Sequence, residues 1–384
     1  MGRPDIVIYV EDPGAANFVS ELPDAIARLG SSVILLADGK AAEQLRALGG
    51  KFEFVDGGAE AVARRVSDLR PGVIAVGTSE NVDSPGLALV DFAGRAGIVS
   101  VGLVDGPSNA DHRFRGRTGE PLGHAPDWIV VADEAVRSQF VAFGMPDERV
   151  LVGGHPRYDA VLRQGERLAH CDRGALRERH FSGIGTDGRV VVFLSELSDG
   201  VNPQQYHRMP EYTLRGRGDV DGRTEIVLEE VLDALALVPR KPRLIVRLHP
   251  KSTQAEFEAW SSEIDGFSER GDTDNLLEML YAADLVVGLS TMLMMEAALA
   301  GCRTLSVLPR KAETAWLPSI ALGLTPCVAD REALCQALRL ALADQAPALA
   351  DPAQAVLPGA VDRVAGILAG LTGVGAPVEV SEGR

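Results

Sequence analysis

The stretch Leu285 to Leu305, LVVGLSTMLMMEAALAGCRTL, leaves the chain few folds to choose from. It starts with Leu285-Val286-Val287, a short apolar run, β-branched enough for a buried strand. Gly288 frees the backbone, and Ser290 and Thr291 are good N-cap residues. Met292 to Ala300 contains only reasonable helix formers, and Gly301 suits the position just past a helix end. A second apolar strand, Arg303 to Leu308, follows at once. Strand, small-residue turn, helix and strand make one βαβ unit. Its turn presents backbone N–H groups and two hydroxyls at a helix N-terminus, a natural place for an anion. Glu296 sits about one and a half turns into the helix, where a carboxylate can meet a ribose diol. The same pattern also reads as an ordinary buried turn with Glu296 on a solvated face.

The rest of the chain repeats the alternation. Strands are predicted at 5–10, 32–36, 52–55, 72–77, 99–104, 128–132 and 149–152. The first runs into Glu11-Asp12-Pro13-Gly14-Ala15-Ala16-Asn17 and a helix through about Leu29; further helices are read at 41–48, 59–69 and 87–96. The pattern breaks between about Gly154 and Arg189, where Gln164 to His180 reads as a charged helical linker. It restarts with a strand at 189–194, a polar loop from Asn202 to Arg223, a helix at 225–237 and a strand at 243–248. A helix from Asn275 to Ala283 leads into the βαβ unit. Helices at 315–322, 330–342 and 360–371 follow, with a frayed tail to Arg384. Such alternation implies parallel sheets covered on both faces. A chain of 384 residues is too long for one ordinary core, so two α/β domains are expected. In open sheets of this kind ligands sit beyond the carboxyl ends of the strands.

Composition removes several function classes. Aromatic residues are only 5% against 46% hydrophobic, so the cores must be Leu, Val and Ala. A net charge of −16 argues against a general nucleic-acid surface, while leaving room for one local basic pocket. No apolar run reaches the length of a membrane span, and the start lacks a secretory signal pattern. Cys171, Cys302, Cys327 and Cys335 are scattered without metal or disulfide spacing, which fits a reducing cytoplasm. The dinucleotide glycine fingerprint, the P-loop and the GxSxG elbow are absent, and the histidines show no metal-ligand spacing.

Two clusters of chemistry-bearing residues fall at strand ends in the second half. One is Arg247 with His249-Pro250-Lys251; the other is Ser290-Thr291 with Glu296. Cationic and imidazole groups near a helix N-terminus favour phosphate. In the first half Asp105, in VDGPSN, can accept a proton from an attacking hydroxyl, although Asp-Gly-Pro is also plain turn chemistry. Glu11, Asp12, Glu80 and His112 are rival bases. Gly14 and Asn17 share the first polar turn. His155, in GGHPR, reads as part of a turn between domains.

These features resemble the GT-B glycosyltransferases over most of the chain. Three groups share parts of the pattern. Bacterial sialyltransferases and related CMP-sugar transferases carry acidic-acidic-Gly, HP and Ser/Thr motifs. Here these are Val104-Asp105-Gly106, His249-Pro250 and Ser290-Thr291, with Val104 in place of the first acid. UDP-N-acetylglucosamine 2-epimerases carry a Ser-Gly-Gly turn followed by Glu; Ser290 and Glu296 match in spacing, with Thr291 and Met292 in place of the glycines. CDP-glycerol glycerophosphotransferases share HP and a Ser-rich turn, and GGHPRYD is similar to that type.

The resemblance implies two Rossmann-like domains facing across a cleft. Residues 1–165 would take the acceptor and 166–355 the nucleotide-sugar donor, with 356–384 packing back on the first domain. The expected function is a cytoplasmic glycosyltransferase of surface glycan or glycoconjugate synthesis, with a CMP-activated acidic sugar among the donors. The alternatives are a nucleotide-sugar 2-epimerase or hydrolase, and a non-catalytic nucleotide-sugar-binding protein. Asp105 and His249 would be catalytic; Arg247, His249, Lys251, Ser290, Thr291 and Glu296 would hold the nucleotide. Glu11, Asp12, Gly14, Asn17, Glu80 and His112 would line the acceptor loops. No metal and no cofactor beyond the nucleotide-sugar substrate is expected. The acceptor would be a glycan, a lipid-linked group or a protein. Nucleic acid is not expected as a partner, membrane contact would be peripheral at most, and a homodimer is compatible with the pattern.

Overall fold

The computed structural model describes residues 3–183, 188–197, 203–269, 276–345 and 348–373. The chain divides into two compact units, one of Met1–Ala160 with Leu357–Arg384, the other of Val161–Val356.

Unit 1 is built on seven parallel strands: β1 (Ile6–Val10), β2 (Val33–Ala37), β3 (Glu53–Phe54), β4 (Val73–Gly77), β5 (Val99–Leu103), β6 (Trp128–Val131) and β7 (Val150–Val152). Their order is β3-β2-β1-β4-β5-β6-β7. Every residue of β1, β4 and β5 is buried, which is why these strands read as continuous apolar runs and not as alternation. Helices α1 (Pro13–Val19), α2 (Leu22–Arg28), α3 (Gly39–Ala47), α4 (Gly58–Leu69), α5 (Pro85–Ala96) and α6 (Glu134–Ala142) connect the strands. The single helix expected through Leu29 is two helices. Pro23 lacks an N–H and cannot sit inside a continuous helix, so it stands in the first turn of the second one.

The linker reading is also corrected. His155-Pro156 is a helix start: α7 (Pro156–Ala169) begins on the proline, whose missing N–H costs nothing at that position. The helix continues past Ala160, where the units divide. It is followed by α8 (Arg173–His180), capped by Asp172, whose carboxylate accepts from the Gly174 N–H at 2.8 Å.

Unit 2 is built on six parallel strands: β8 (Val190–Leu194), β9 (Arg243–Arg247), β10 (Gly266–Ser268), β11 (Leu285–Gly288), β12 (Thr304–Val307) and β13 (Cys327–Val328). Their order is β10-β9-β8-β11-β12-β13. The short strands β10 and β13 carry too few residues to show a period in sequence. The connecting helices are α9 (Pro203–Tyr206), α10 (Arg223–Ala236), α11 (Leu276–Ala282), α12 (Met292–Leu299), α13 (Pro318–Ala321), α14 (Arg331–Leu342) and α15 (Pro352–Ala355). Asn275, the expected start of α11, and the tail beyond residue 373 lie outside the described residues. The helix expected at 315–322 is instead a 3-10 turn, Lys311–Trp316, and then α13, which restarts on Pro318.

Asp284, 4% exposed, anchors the base of this sheet. Its carboxylate accepts from Arg177 Nη1 at 2.9 Å, Arg189 Nη1 at 3.0 Å and the Val190 N–H at 2.7 Å. This ties α8 and β8 to the start of β11.

The chain ends in unit 1. Helix α16 (Ala360–Leu371) packs Val364, Ala365 and Leu368 into the same core as β1 and α2. Its start is held by Asp159, which accepts from the N–H groups of Gly359 (2.9 Å) and Val361 (3.0 Å). Two otherwise unpaired helix-end donors are satisfied in this way. Among the described residues no helix is long and apolar enough to cross a membrane.

Candidate functional site

Strand order places one crevice in each unit. In unit 2 the chain moves outward from β8 to β9 and β10, then crosses back to β11 on the other side of β8. That reversal opens the carboxyl ends of β8 and β11 side by side, the usual ligand position in such sheets. Ser195-Glu196 follows β8, and Leu289-Ser290-Thr291 follows β11.

A buried ion network joins them. Arg223, at the first position of α10, is 1% exposed. Its Nη1 donates to Glu196 Oε2 at 2.6 Å and its Nη2 to Ser290 Oγ at 2.9 Å. Glu313 accepts from Arg223 Nε at 2.8 Å, and its other oxygen accepts from Arg310 Nε at 2.8 Å. The second oxygen of Glu196 accepts from the Ser290 N–H at 2.6 Å. Burial presses the Arg223 pKa down, and Glu196 and Glu313 more than reverse this, so the guanidinium stays charged. Thr291 caps α12 in an extended conformation (φ −60°, ψ 143°), so a β-branched residue is unstrained there. Glu296 is half-buried in the second turn of that helix.

His249 stands at the end of β9, beside β8. Its backbone N–H donates to Ser195 Oγ at 2.9 Å, and its Nδ1 accepts from the Lys251 N–H at 3.2 Å. Nδ1 is therefore the unprotonated nitrogen and Nε2 carries the hydrogen. Burial, helped by the Lys251 charge, pushes the imidazole down to about 4, so it is neutral at pH 7. Arg247 is buried and donates to Ser268 Oγ at 3.1 Å and to the Glu269 carbonyl. Its guanidinium is thus bonded toward β10, while the Lys251 side chain is exposed.

In unit 1 the reversal lies between β1 and β4. Glu11 follows β1; burial holds its carboxyl above the usual range, against the pull of the nearby Ser84 and Ser79 hydroxyls. Asp105 follows β5, and its Oδ2 lies against Gly14 so closely that a Cβ there would collide with it. Arg113, 8% exposed, approaches Asp105 Oδ1 at 3.3 Å without hydrogen-bond geometry. Glu80 accepts from Asn109 Nδ2 at 3.0 Å, and Asn109 takes the left-handed backbone (φ 52°) that brings it there. His112 Nδ1 is 3.1 Å from Asp111. Glu11 Oε1, Asp105 Oδ1 and Arg113 Nε are buried and make no hydrogen bond. Asn17 is turned to Gln44, whose Nε2 donates to it at 2.8 Å; Asp12 precedes α1 without a side-chain cap.

His155 braces this edge. It is 7% exposed, stacks on Tyr158 at 4.4 Å and meets Phe18 edge-on at 4.9 Å. Its Nδ1 accepts from the Arg157 N–H at 3.3 Å. Burial lowers its pKa to about 3.

Glu196, Arg223, Arg310 and Glu313 were not singled out by sequence. Arg223 closes a polar stretch that reads as loop, and nothing local pairs it with residues 27 and 90 positions away. The one available signal was Glu196 directly after a strand.

Neither a protein-family model nor a curated protein matches the sequence. Solved structures do match the fold. The UDP-GlcNAc 2-epimerase of Neisseria meningitidis bound to UDP-GlcNAc superposes with a TM-score of 0.63 at 11% identity, over 95% of this chain and 98% of its own. The enzyme of that name from Methanocaldococcus jannaschii, in complex with UDP-GlcNAc and UDP, gives 0.65 at 14%, over 94% and 99%. The S. aureus MnaA–UDP structure gives 0.64 at 12%, over 94% and 95%.

These neighbours overturn the glycosyltransferase expectation and, with it, the CMP-sugar donor: the first two are named as UDP-GlcNAc 2-epimerases, and they favour the alternative reading. The structure supplies a physical reason on the same side. Val104, in the place of the first acid of the transferase motif, is 1% exposed and packs with Phe114 and Phe140 in an apolar cluster. What the likeness establishes is the fold, two parallel-sheet α/β units arranged along the chain as in the GT-B-like 2-epimerases.

Proposed function

We propose that the chain is an enzyme acting on a nucleotide sugar as a 2-epimerase or hydrolase, with a UDP-N-acetylhexosamine as the substrate class. The observation that carries this is the Ser290 turn at the β8/β11 reversal, in a fold whose solved neighbours hold UDP-GlcNAc and UDP. Ser290 Oγ–H and the first N–H groups of α12 offer donors to phosphate. His249 Nε2–H is proposed as a neutral donor, and Glu296 as the group for the ribose diol. Lys251 adds a positive charge from the same loop.

Inversion at C2 without an oxidant requires that a proton leave the carbon while the C1–O bond to UDP breaks and UDP carries off that electron pair, and that a proton return on the opposite face as UDP adds back at C1. Unit 1 carries the candidate groups. Asp105, paired with Arg113, is the proposed base. Glu11, whose burial favours the protonated form, is the proposed acid. Glu80 and His112 are the alternatives.

The test is incubation with UDP-GlcNAc in D2O, followed by NMR of the sugar. Deuterium at C2, with the manno epimer or free UDP appearing, is the expected result. Intact UDP binding without exchange or release, across a panel of UDP-hexoses and UDP-N-acetylhexosamines, would make the chain a binding protein.

A further inference from the structure

The Ser290 turn already holds an anion, and it is part of the protein. Glu196, with its side chain 12% exposed, accepts from the Ser290 N–H and from Arg223 Nη1, each at 2.6 Å. An amide at the head of a helix and a buried guanidinium are the two donors that a phosphate group would use first. The charged groups facing Glu196 are Arg223 and, through it, Glu313 and Arg310. Two positive and two negative charges cancel within this network, so it brings no net positive charge of its own to the turn. Ser290 shows what remains. It is 9% exposed, and its Oγ accepts from Arg223, which can only donate. Its hydroxyl hydrogen has no acceptor among the described residues and is left for a ligand.

We propose that Glu196 is an internal competitor of the nucleotide's phosphate, built into the turn to hold affinity down and favour release. This rests on reading the turn as the phosphate site. A phosphate either sits on the leftover donors beside the Glu196 carboxylate or displaces it. In both cases the Glu196 charge opposes binding. Uridine, which has no phosphate, does not meet this opposition.

The experiment is calorimetry of UDP and uridine with wild type, Glu196→Gln and Glu196→Asp. Ser290 N–H and Arg223 meet different oxygens of Glu196, and a glutamine puts an amide NH2 in one of those places, so one donor is released and one negative charge removed. UDP should bind about tenfold tighter or more to Glu196→Gln, the scale of one unit charge at short range, with uridine unchanged. Glu196→Asp keeps the charge but withdraws it by one methylene. It should give a smaller gain in the same direction, and it decides the matter if Glu196→Gln melts well below wild type. UDP affinity that is unchanged or weaker in a variant melting like wild type overturns the proposal and leaves the proposed function standing. No UDP binding in any of the three proteins overturns both; binding that appears only in the variants supports the competitor role.

Discussion

Arg223 Nη2 lies 2.9 Å from Ser290 Oγ, so a residue at the head of α10 orients the hydroxyl at the head of α12. The same guanidinium neutralises Glu196 and the fully buried Glu313. Arg223→Met should therefore cost about 3–5 kcal/mol of unit 2 stability, the usual result of stranding buried charges. Adding Glu196→Gln and Glu313→Gln should recover most of that loss. Urea unfolding of the single and triple variants measures both; a single variant as stable as wild type would show that the network is not formed in solution.

His249→Ala should weaken UDP binding by about 1–3 kcal/mol, the range for a hydrogen bond to a charged group. Because the ring is neutral, this contribution should persist unchanged from pH 7 to pH 9. Calorimetry at several pH values tests it, and a contribution that fades above pH 7 would mean a protonated imidazole.

Gly14→Ala places a methyl group where Asp105 Oδ2 now lies. Asp105 must swing away, at a stability cost of about 1–3 kcal/mol for local overpacking. Turnover should drop much further than UDP affinity, since the groups proposed to hold the nucleotide are on unit 2. Equal losses in both would argue against a proton-transfer role for Asp105.

Acid should destabilise unit 1 early. His155 is buried with its pKa at about 3, against 6.5 in an unfolded chain. The folded state thus binds fewer protons than the unfolded state between those values, and stability falls as pH drops through that window. His249, at about 4, adds the same trend in unit 2. Thermal melting from pH 7.5 to 4 reads the slope, which should flatten in His155→Asn. An unaltered slope would mean that other groups carry the acid sensitivity.

Asp284→Asn removes the charge facing Arg177 and Arg189 while keeping the side-chain shape. Burial alone would raise the Asp284 pKa, but the Val190 N–H and these arginines hold it below the ordinary carboxylate value. Its stabilisation is therefore complete above the unfolded value near 4 and fades as pH falls through the folded one. The variant should lose about 3–5 kcal/mol at pH 7 and progressively less in stronger acid. A loss that does not shrink with pH would assign the effect to packing.

Much of the fold was legible in the chain because burial on both faces leaves a mark that needs no partner to be read. IVIYV, VIAVG and VVVFL can only be strands that never meet water. Ser290-Thr291 before an unbroken helix, and Gly301 after it, mark one βαβ unit by local chemistry alone. Prolines set the errors: Pro23, Pro156 and Pro318 stand in the first turn of helices where the sequence reads as continuation or a linker.

Strand order was not legible. Nothing in the residues of β11 says that it crosses back to lie against β8, yet that crossing brings Glu196 to Ser290. It also makes one network of Arg223, Glu313 and Arg310, which are spread over about ninety positions of sequence. The same limit applies to Asp105 and Gly14, which meet only because β5 ends where α1 begins, at one edge of a sheet. Propensity and hydrophobic period act over a few residues, so the sequence by itself determines the elements and their alternation. Which charges share a desolvated space is a property of the assembled sheet, and there only the tertiary structure decides.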